Sequence, residues 1–337
     1  MKEIVYPYSP QCVYPTVEGQ HRVRSNGFTL IELSIVLMII GLLVGGVLVG
    51  QDLIKAAEIR SQISQIEKYQ TAVNTFKLKY GYLPGDIPDP TASAFGFVAR
   101  GTDYGQGNGD GILMGWVSAG WNGAAYQGTG EVSVFWRDLS EAGLIGDSFS
   151  TATNSTYPLV ADKNTPDGIA KYMPKAKIEQ GNSVFVLGAT LRYGGLGYSA
   201  AIAPGYTLNG AANFFILAAV TQIFGYGGCT GCTAAIPALT PQQAYAIDSK
   251  MDDGMPNTGR VHARYVGAPP SGIDSDAVGV SGTPNGTFYP HGGWIAAGQP
   301  TSCFDLHGLS STNPNYFLQT YSLTNTDKNC ALSFKFQ

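Results

Sequence analysis

Residues 28–50 carry a single charged side chain, Glu32, in a run otherwise dominated by Leu, Ile, Val and Gly. Roughly 23 residues of this kind are enough to cross a hydrocarbon core of about 30 Å as a helix. Glu32 is the anomaly in that segment. An ionised carboxylate inside a bilayer costs about 3 kcal/mol on insertion scales, so it should have a partner, and functional use is the default expectation. No Lys or Arg lies within residues 28–50 to serve as that partner. The plainer alternative is a signal anchor that happens to contain a Glu. A secretory signal peptide would have a shorter apolar region followed by a small-residue cut; here Gly45, Gly46 and Gly50 offer no clean site, and the run continues into an amphipathic pattern.

That pattern sets the organisation of the chain. Ile59, Ile63, Ile66, Tyr69, Val73, Phe76 and Tyr80 recur at intervals of three and four, which keeps them on one helical face. Lys55, Glu58, Arg60, Glu67, Lys68 and Lys77 fall largely between them. One helix is therefore expected over residues 28–79, with 28–50 in lipid and 51–79 amphipathic, stopped by Gly81 and Pro84. Gly41, Gly45, Gly46 and Gly50 weaken a helix in water but let membrane helices approach closely. Residues 80–337 form the head, large enough for one big domain or two small ones.

Within the head, Val132, Phe135, Trp136 and Leu139 stand at helical spacing, with Gly143 and Gly146 to close the helix. Thr240-Pro-Gln-Gln places Thr at the N-cap, Pro at N1 and Gln at N3, so a helix should run from there to about Met251. Strands are expected at 183–187, 213–220, 315–321 and 331–336, separated by long polar stretches. The head reads as α+β, an antiparallel sheet with long irregular loops.

The amino-terminal residues carry a resemblance. A basic patch of His21, Arg22 and Arg24 precedes Gly27-Phe28-Thr29-Leu30-Ile31-Glu32 and the apolar run. Here the chain resembles the type IV prepilins and the type II secretion pseudopilins. The resemblance implies a leader of residues 1–27, cleavage by prepilin peptidase between Gly27 and Phe28, N-methylation of Phe28, and a role for Glu32 in assembly. It also supplies the missing partner: cleavage creates an α-amino group on Phe28 that a Glu32 carboxylate on a neighbouring subunit can neutralise. The implied fold is pilin-like, with the long N-terminal membrane-spanning helix packed on the antiparallel sheet. The implied partners are the peptidase, other pilin or pseudopilin subunits, an inner-membrane assembly platform and the membrane itself. The implied location is the bacterial inner membrane with the head in the periplasm, then a pilus or pseudopilus filament. Lys79-Tyr-Gly-Tyr-Leu-Pro-Gly-Asp, Gly107-Asn-Gly-Asp-Gly, Phe135-Trp-Arg-Asp-Leu-Ser-Glu-Ala-Gly-Leu-Ile and Ala246-Ile-Asp-Ser-Lys-Met-Asp-Asp-Gly-Met-Pro-Asn-Thr-Gly resemble segments of large-headed members. The proline usual in the membrane half of pilins is absent, so no kink is carried over at that point.

Charge and cysteine usage agree with an exported head. The chain has 20 Lys and Arg against 24 Asp and Glu, a net charge of −4; no nucleic acid is expected as a partner of an acidic head. Arg22 and Arg24 place the leader on the cytoplasmic side by the positive-inside rule. With Cys12 in the leader, Cys229, Cys232, Cys303 and Cys330 remain, and four cysteines permit three pairings. The favoured pairing is Cys229 with Cys232 and Cys303 with Cys330; the second closes a loop worth about 3.5 kcal/mol in the chain-entropy model, and the resemblance also implies a C-terminal disulfide loop. A redox or zinc role for Cys229 and Cys232 is the alternative. Redox pairs usually stand at a helix N-terminus, whereas this one follows a Gly-rich turn after an apolar, strand-like run.

Two acidic, Gly-rich sites could take calcium; no cofactor is otherwise required. Asn108 and Asp110 before Gly111 resemble the middle of a calcium loop, with Asp103 as a further oxygen ligand, but Gln106 stands where the loop should open and no Glu closes it. Asp252 and Asp253 before Gly254 could supply carboxylates or simply form a turn. His262, His291 and His307 lie in no catalytic pattern, and the sequence holds no nucleophile elbow, His-Glu-x-x-His pair, phosphate loop or dinucleotide fingerprint. An enzyme is not expected. Three classes of function stay in view: a structural subunit of a pilus or pseudopilus, a minor or tip subunit whose head is an adhesive or substrate-binding module, and, weakest, a membrane-anchored enzyme.

Overall fold

A computed structural model describes residues 29–101, 106–113, 130–152, 165–179, 181–189, 212–223, 233–236, 238–256, 259–264, 303–305, 320–321, 323, 328 and 330–337. The chain divides into two compact units, Met1–Leu53 and Ile54–Gln337. Helix α1, Leu30–Tyr80, contributes to both. Its first part is exposed over residues 30–49, and the helix is long and apolar enough to cross a membrane. Phe28, where the sequence places the start of the helix, lies outside the described residues.

In the second unit, α1 presents the stripe that its spacing predicts. Ile59, Ile66, Tyr69, Val73 and Phe76 are buried, while Ile63 and Tyr80 are partly covered. Two polar residues share that face. Gln62 Oε1 accepts from the backbone N–H groups of Lys177 (2.7 Å) and Ile178 (3.3 Å). Gln65 Nε2 donates to the Lys175 carbonyl and to the Tyr69 hydroxyl, each at 2.9 Å. The glutamines thus satisfy a backbone segment lying against the helix, Gln62 through its amide oxygen and Gln65 through its amide nitrogen. The helix stops where Gly81 adopts φ 80° and its N–H bonds the Lys77 carbonyl at 2.8 Å, a left-handed cap that glycine reaches without strain.

Four further helices are described in this unit: α2 Thr91–Ala94, α3 Gly130–Glu141, α4 Pro166–Ile169 and α5 Pro241–Met251. Helix α3 buries Val132, Phe135, Trp136 and Leu139. It closes at Gly143, whose N–H bonds Ser140 O at 3.0 Å while Leu144 N–H bonds Leu139 O at 3.0 Å. That pair of bonds is the Schellman arrangement. Helix α5 opens with the expected capping box, Gln243 N–H donating to Thr240 Oγ1 (3.3 Å) and Thr240 N–H to Gln243 Oε1 (2.9 Å).

The sheet is antiparallel. Strands β1 (Ser183–Ala189), β2 (Ala212–Ile223), β4 (Val261–Arg264) and β7 (Ala331–Lys335) lie in the order β1-β2-β7-β4, and β3 (Thr233–Ile236) pairs with the second half of β2. Strands β5 (Phe304–Asp305) and β6 (Thr320–Tyr321) form a separate pair. Phe215 on β2 is the meeting point of the layers: its ring lies 6.1 Å from Tyr69 of α1, 6.2 and 6.0 Å from Phe135 and Trp136 of α3, and 4.3 Å from Phe336. The architecture is α+β, with α1 and α3 packed on an antiparallel sheet.

Some boundaries differ from the sequence reading. The strand expected at 315–321 is described only at Thr320–Tyr321, and the one at 331–336 ends at Lys335. Strands β3 and β4 and helices α2 and α4 are additional. Each is four residues long, too short for periodicity to identify; β3 and β4 are extended because β2 and β7 pair with them.

Cys303 and Cys330 form a disulfide with Cα atoms 5.0 Å apart, joining the residue before β5 to the residue before β7. Cys330 also exchanges two backbone hydrogen bonds with Leu239, at 2.9 and 3.0 Å. The cross-link therefore holds the entry to a central strand. Replacing both cysteines by serine should lower stability by about 3.5 kcal/mol through the longer loop released in the unfolded chain. The urea midpoint of the detergent-solubilised protein, compared with wild type, measures this; an unchanged midpoint would contradict it.

Candidate functional site

Helix α1 begins with a reciprocal set of bonds around its acidic residue. Glu32 Oε2 accepts from the Thr29 backbone N–H at 2.7 Å and from the Thr29 hydroxyl at 2.8 Å, and Glu32 N–H donates to Thr29 Oγ1 at 3.3 Å. Thr29 stands as N-cap and Glu32 as N3 of a capping box, satisfying amides that the first helical turn leaves without partners. A carboxylate at this end also faces the positive end of the helix dipole. The sequence singles out Glu32 as the isolated charge, but the search for an opposite charge misses this local partner. Thr29-x-x-Glu32 is the pattern that reveals it.

Residues 22–48 match a family described as the prokaryotic N-terminal methylation motif. The amino terminus is of the prepilin type. The match supports membership of the type IV prepilin and pseudopilin family, and it ends well before the head. Neither the curated proteins nor the solved structures contain a match to the chain. Gly27 and Phe28, the expected processing residues of this prepilin-type terminus, lie outside the described residues.

In the head, three of the sequence segments that resemble large-headed members converge on buried carboxylates. Asp86 accepts from the N–H groups of Gly109 and Gly111, each at 2.8 Å. Glu131 Oε1 accepts from Gly107 N–H (2.9 Å) and Asn108 N–H (3.3 Å). Asp138 Oδ2 accepts from Gly85 N–H at 2.6 Å and pairs with Arg100 Nη2 at 2.5 Å, with both side chains fully buried. Gly85, at φ 86°, is required here, because a Cβ would overlap the Glu131 carbonyl oxygen. Sequence reasoning missed Asp86, Glu131, Asp138 and Arg100, because their partners are groups distant in the chain.

The calcium candidates have local partners. Asn108 Oδ1 accepts from Asp110 N–H at 3.0 Å, and Asp110 Oδ1 accepts from Ile112 N–H at 2.8 Å. Asp103 lies outside the described residues. Asp252 and Asp253 come together with Asp248, one carboxylate oxygen from each lying within 4.8 Å of the others, a spacing that could hold a cation. Their carboxylates also accept backbone bonds: Asp248 from Gly254 (3.3 Å), Asp252 from Arg260 and from Val261 (3.1 Å), and Asp253 from Met255 (2.8 Å). These bonds order the turn after α5. Cys229 and Cys232 lie outside the described residues.

Burial pushes the Asp86 carboxyl up to about 7, against the N–H bonds of Gly111 and Gly109 that favour its charged form. Burial likewise raises Asp138, opposed by the Arg100 guanidinium. Since the ordinary value for Asp86 is 3.8, the folded protein holds a proton there that the unfolded chain releases between about pH 4 and pH 7. The stabilising contribution is fully present below that window and is lost as pH rises through it. Asp86→Asn should therefore flatten the fall in urea midpoint from about pH 4 to about pH 7. Parallel pH profiles for the variant and wild type would contradict this assignment.

Proposed function

We propose that the protein is a structural pilin-like subunit, cut by prepilin peptidase between Gly27 and Phe28 and assembled through its N-terminal helix into a type IV pilus or a type II secretion pseudopilus. The observation that carries this reading is the methylation motif at residues 22–48 with Glu32 as the single acidic residue of an apolar run. Before assembly the subunit resides in the inner membrane with its head in the periplasm. The assembly platform and other pilin or pseudopilin subunits are its partners. An ammonium created on Phe28 of a neighbouring subunit offsets the cost of a carboxylate in an apolar environment. The motif belongs to a structural family, which supports a non-enzymatic role.

A second reading, a minor or tip subunit whose head binds a surface or an exported substrate, draws on a groove of about 650 Å³ beside α1, lined in part by Gln65, Lys68, Asp147 and Lys177. Subunit abundance along isolated filaments separates the two.

Mass spectrometry of the membrane-derived protein should find an amino terminus at Phe28 carrying an added methyl group. An intact Met1 terminus in cells with active prepilin peptidase would contradict the processing step. Glu32→Ala should be cut and inserted normally, with its head as protease-resistant as wild type, yet be depleted in sheared filaments by about tenfold or more, the loss expected when a partner of a buried charge pair is removed. Normal incorporation at normal abundance would contradict the role of Glu32.

A further inference from the structure

The bonds that start α1 leave the two oxygens of Glu32 unequal. Oε2 accepts both Thr29 donors, whereas Oε1 accepts no hydrogen bond among the described residues. We propose that Thr29 is a positioning residue for Glu32, fixing the carboxylate so that Oε1 is presented to the amino-terminal ammonium of a neighbouring subunit. This rests on the assembly reading above. A Glu side chain free to rotate would lose its rotamer freedom when the subunits meet; Thr29 removes much of that freedom beforehand, so assembly is favoured by preorganisation. The hydroxyl is the part of Thr29 that a substitution can remove, since the backbone N–H remains in every residue but proline. Its loss deletes one of the two bonds to Oε2 and the reciprocal bond from Glu32 N–H.

The test compares Thr29→Val, Thr29→Ser, Glu32→Gln and the Thr29→Val/Glu32→Gln double variant in full-length protein. Cleavage is scored by mass, and incorporation is scored as cleaved subunit in sheared filaments relative to the membrane pool. Thr29→Val should reduce incorporation by roughly fivefold, as loss of a capping side chain does, and Thr29→Ser should restore it. In the Glu32→Gln background, Thr29→Val should add no further loss, because Thr29 acts through the carboxylate. Wild-type incorporation of Thr29→Val, or an additive loss in the double variant, overturns the inference alone. Failure of Thr29→Val to be cut while Glu32→Gln is cut places the hydroxyl's role at the peptidase and also overturns it. Wild-type protein that is uncut or absent from filaments overturns the assembly reading and this inference together.

Discussion

The face of α1 that carries Ile59, Ile66, Tyr69, Val73 and Phe76 is the surface on which the second unit is organised. Tyr69 reaches Trp136 of α3 at 4.8 Å between ring centroids and Phe215 of β2 at 6.1 Å, so one residue of the helix touches both layers. Burial of large aromatic side chains contributes more than any single polar contact in such a core. Gln62 and Gln65 then fix the backbone at Lys175, Lys177 and Ile178 against the same face. Apolar packing brings the layers together, and the two amides specify the position of the adjoining chain.

A second level of order comes from buried carboxyl groups. Asp86, Glu131 and Asp138 organise the Gly-rich segments by accepting their backbone N–H groups, while Arg100 compensates Asp138 directly. Loops rich in glycine expose many amides, and burying them without acceptors would cost about 1–3 kcal/mol each. Carboxylates that reach in from outside the loop meet that need. The segments 79–86, 107–111 and 135–145 thus serve one network, although each reads in isolation as a separate turn or helix.

The elements legible in the sequence are those specified by neighbours in the chain. The spacing of Ile59 to Phe76 reveals the buried stripe of α1, and Thr240-Pro-Gln-Gln reveals the start of α5, because both signals lie within a few helical turns. Gln62 and Gln65 do not declare their burial, since their backbone partners lie 110 to 116 positions away. The short strands β3 and β4 depend on pairing with β2 and β7 and carry little signal of their own. Thr29 is a different case. Its capping pattern with Glu32 is local, but the demand for an opposite charge draws attention away from an acceptor that two neutral donors already occupy.

Glu32 links the apolar helix to its proposed function: one oxygen is held by Thr29, and the other accepts no hydrogen bond among the described residues. A reconstruction of the assembled filament, resolved at the amino terminus, measures the distance that matters. The expected result is a Phe28 amine of a neighbouring subunit within about 4 Å of Glu32 Oε1, the range of an ion pair. A Phe28 amine turned away from every Glu32, with the carboxylate bonded only to its own Thr29, would contradict the role of cleavage in creating the partner charge.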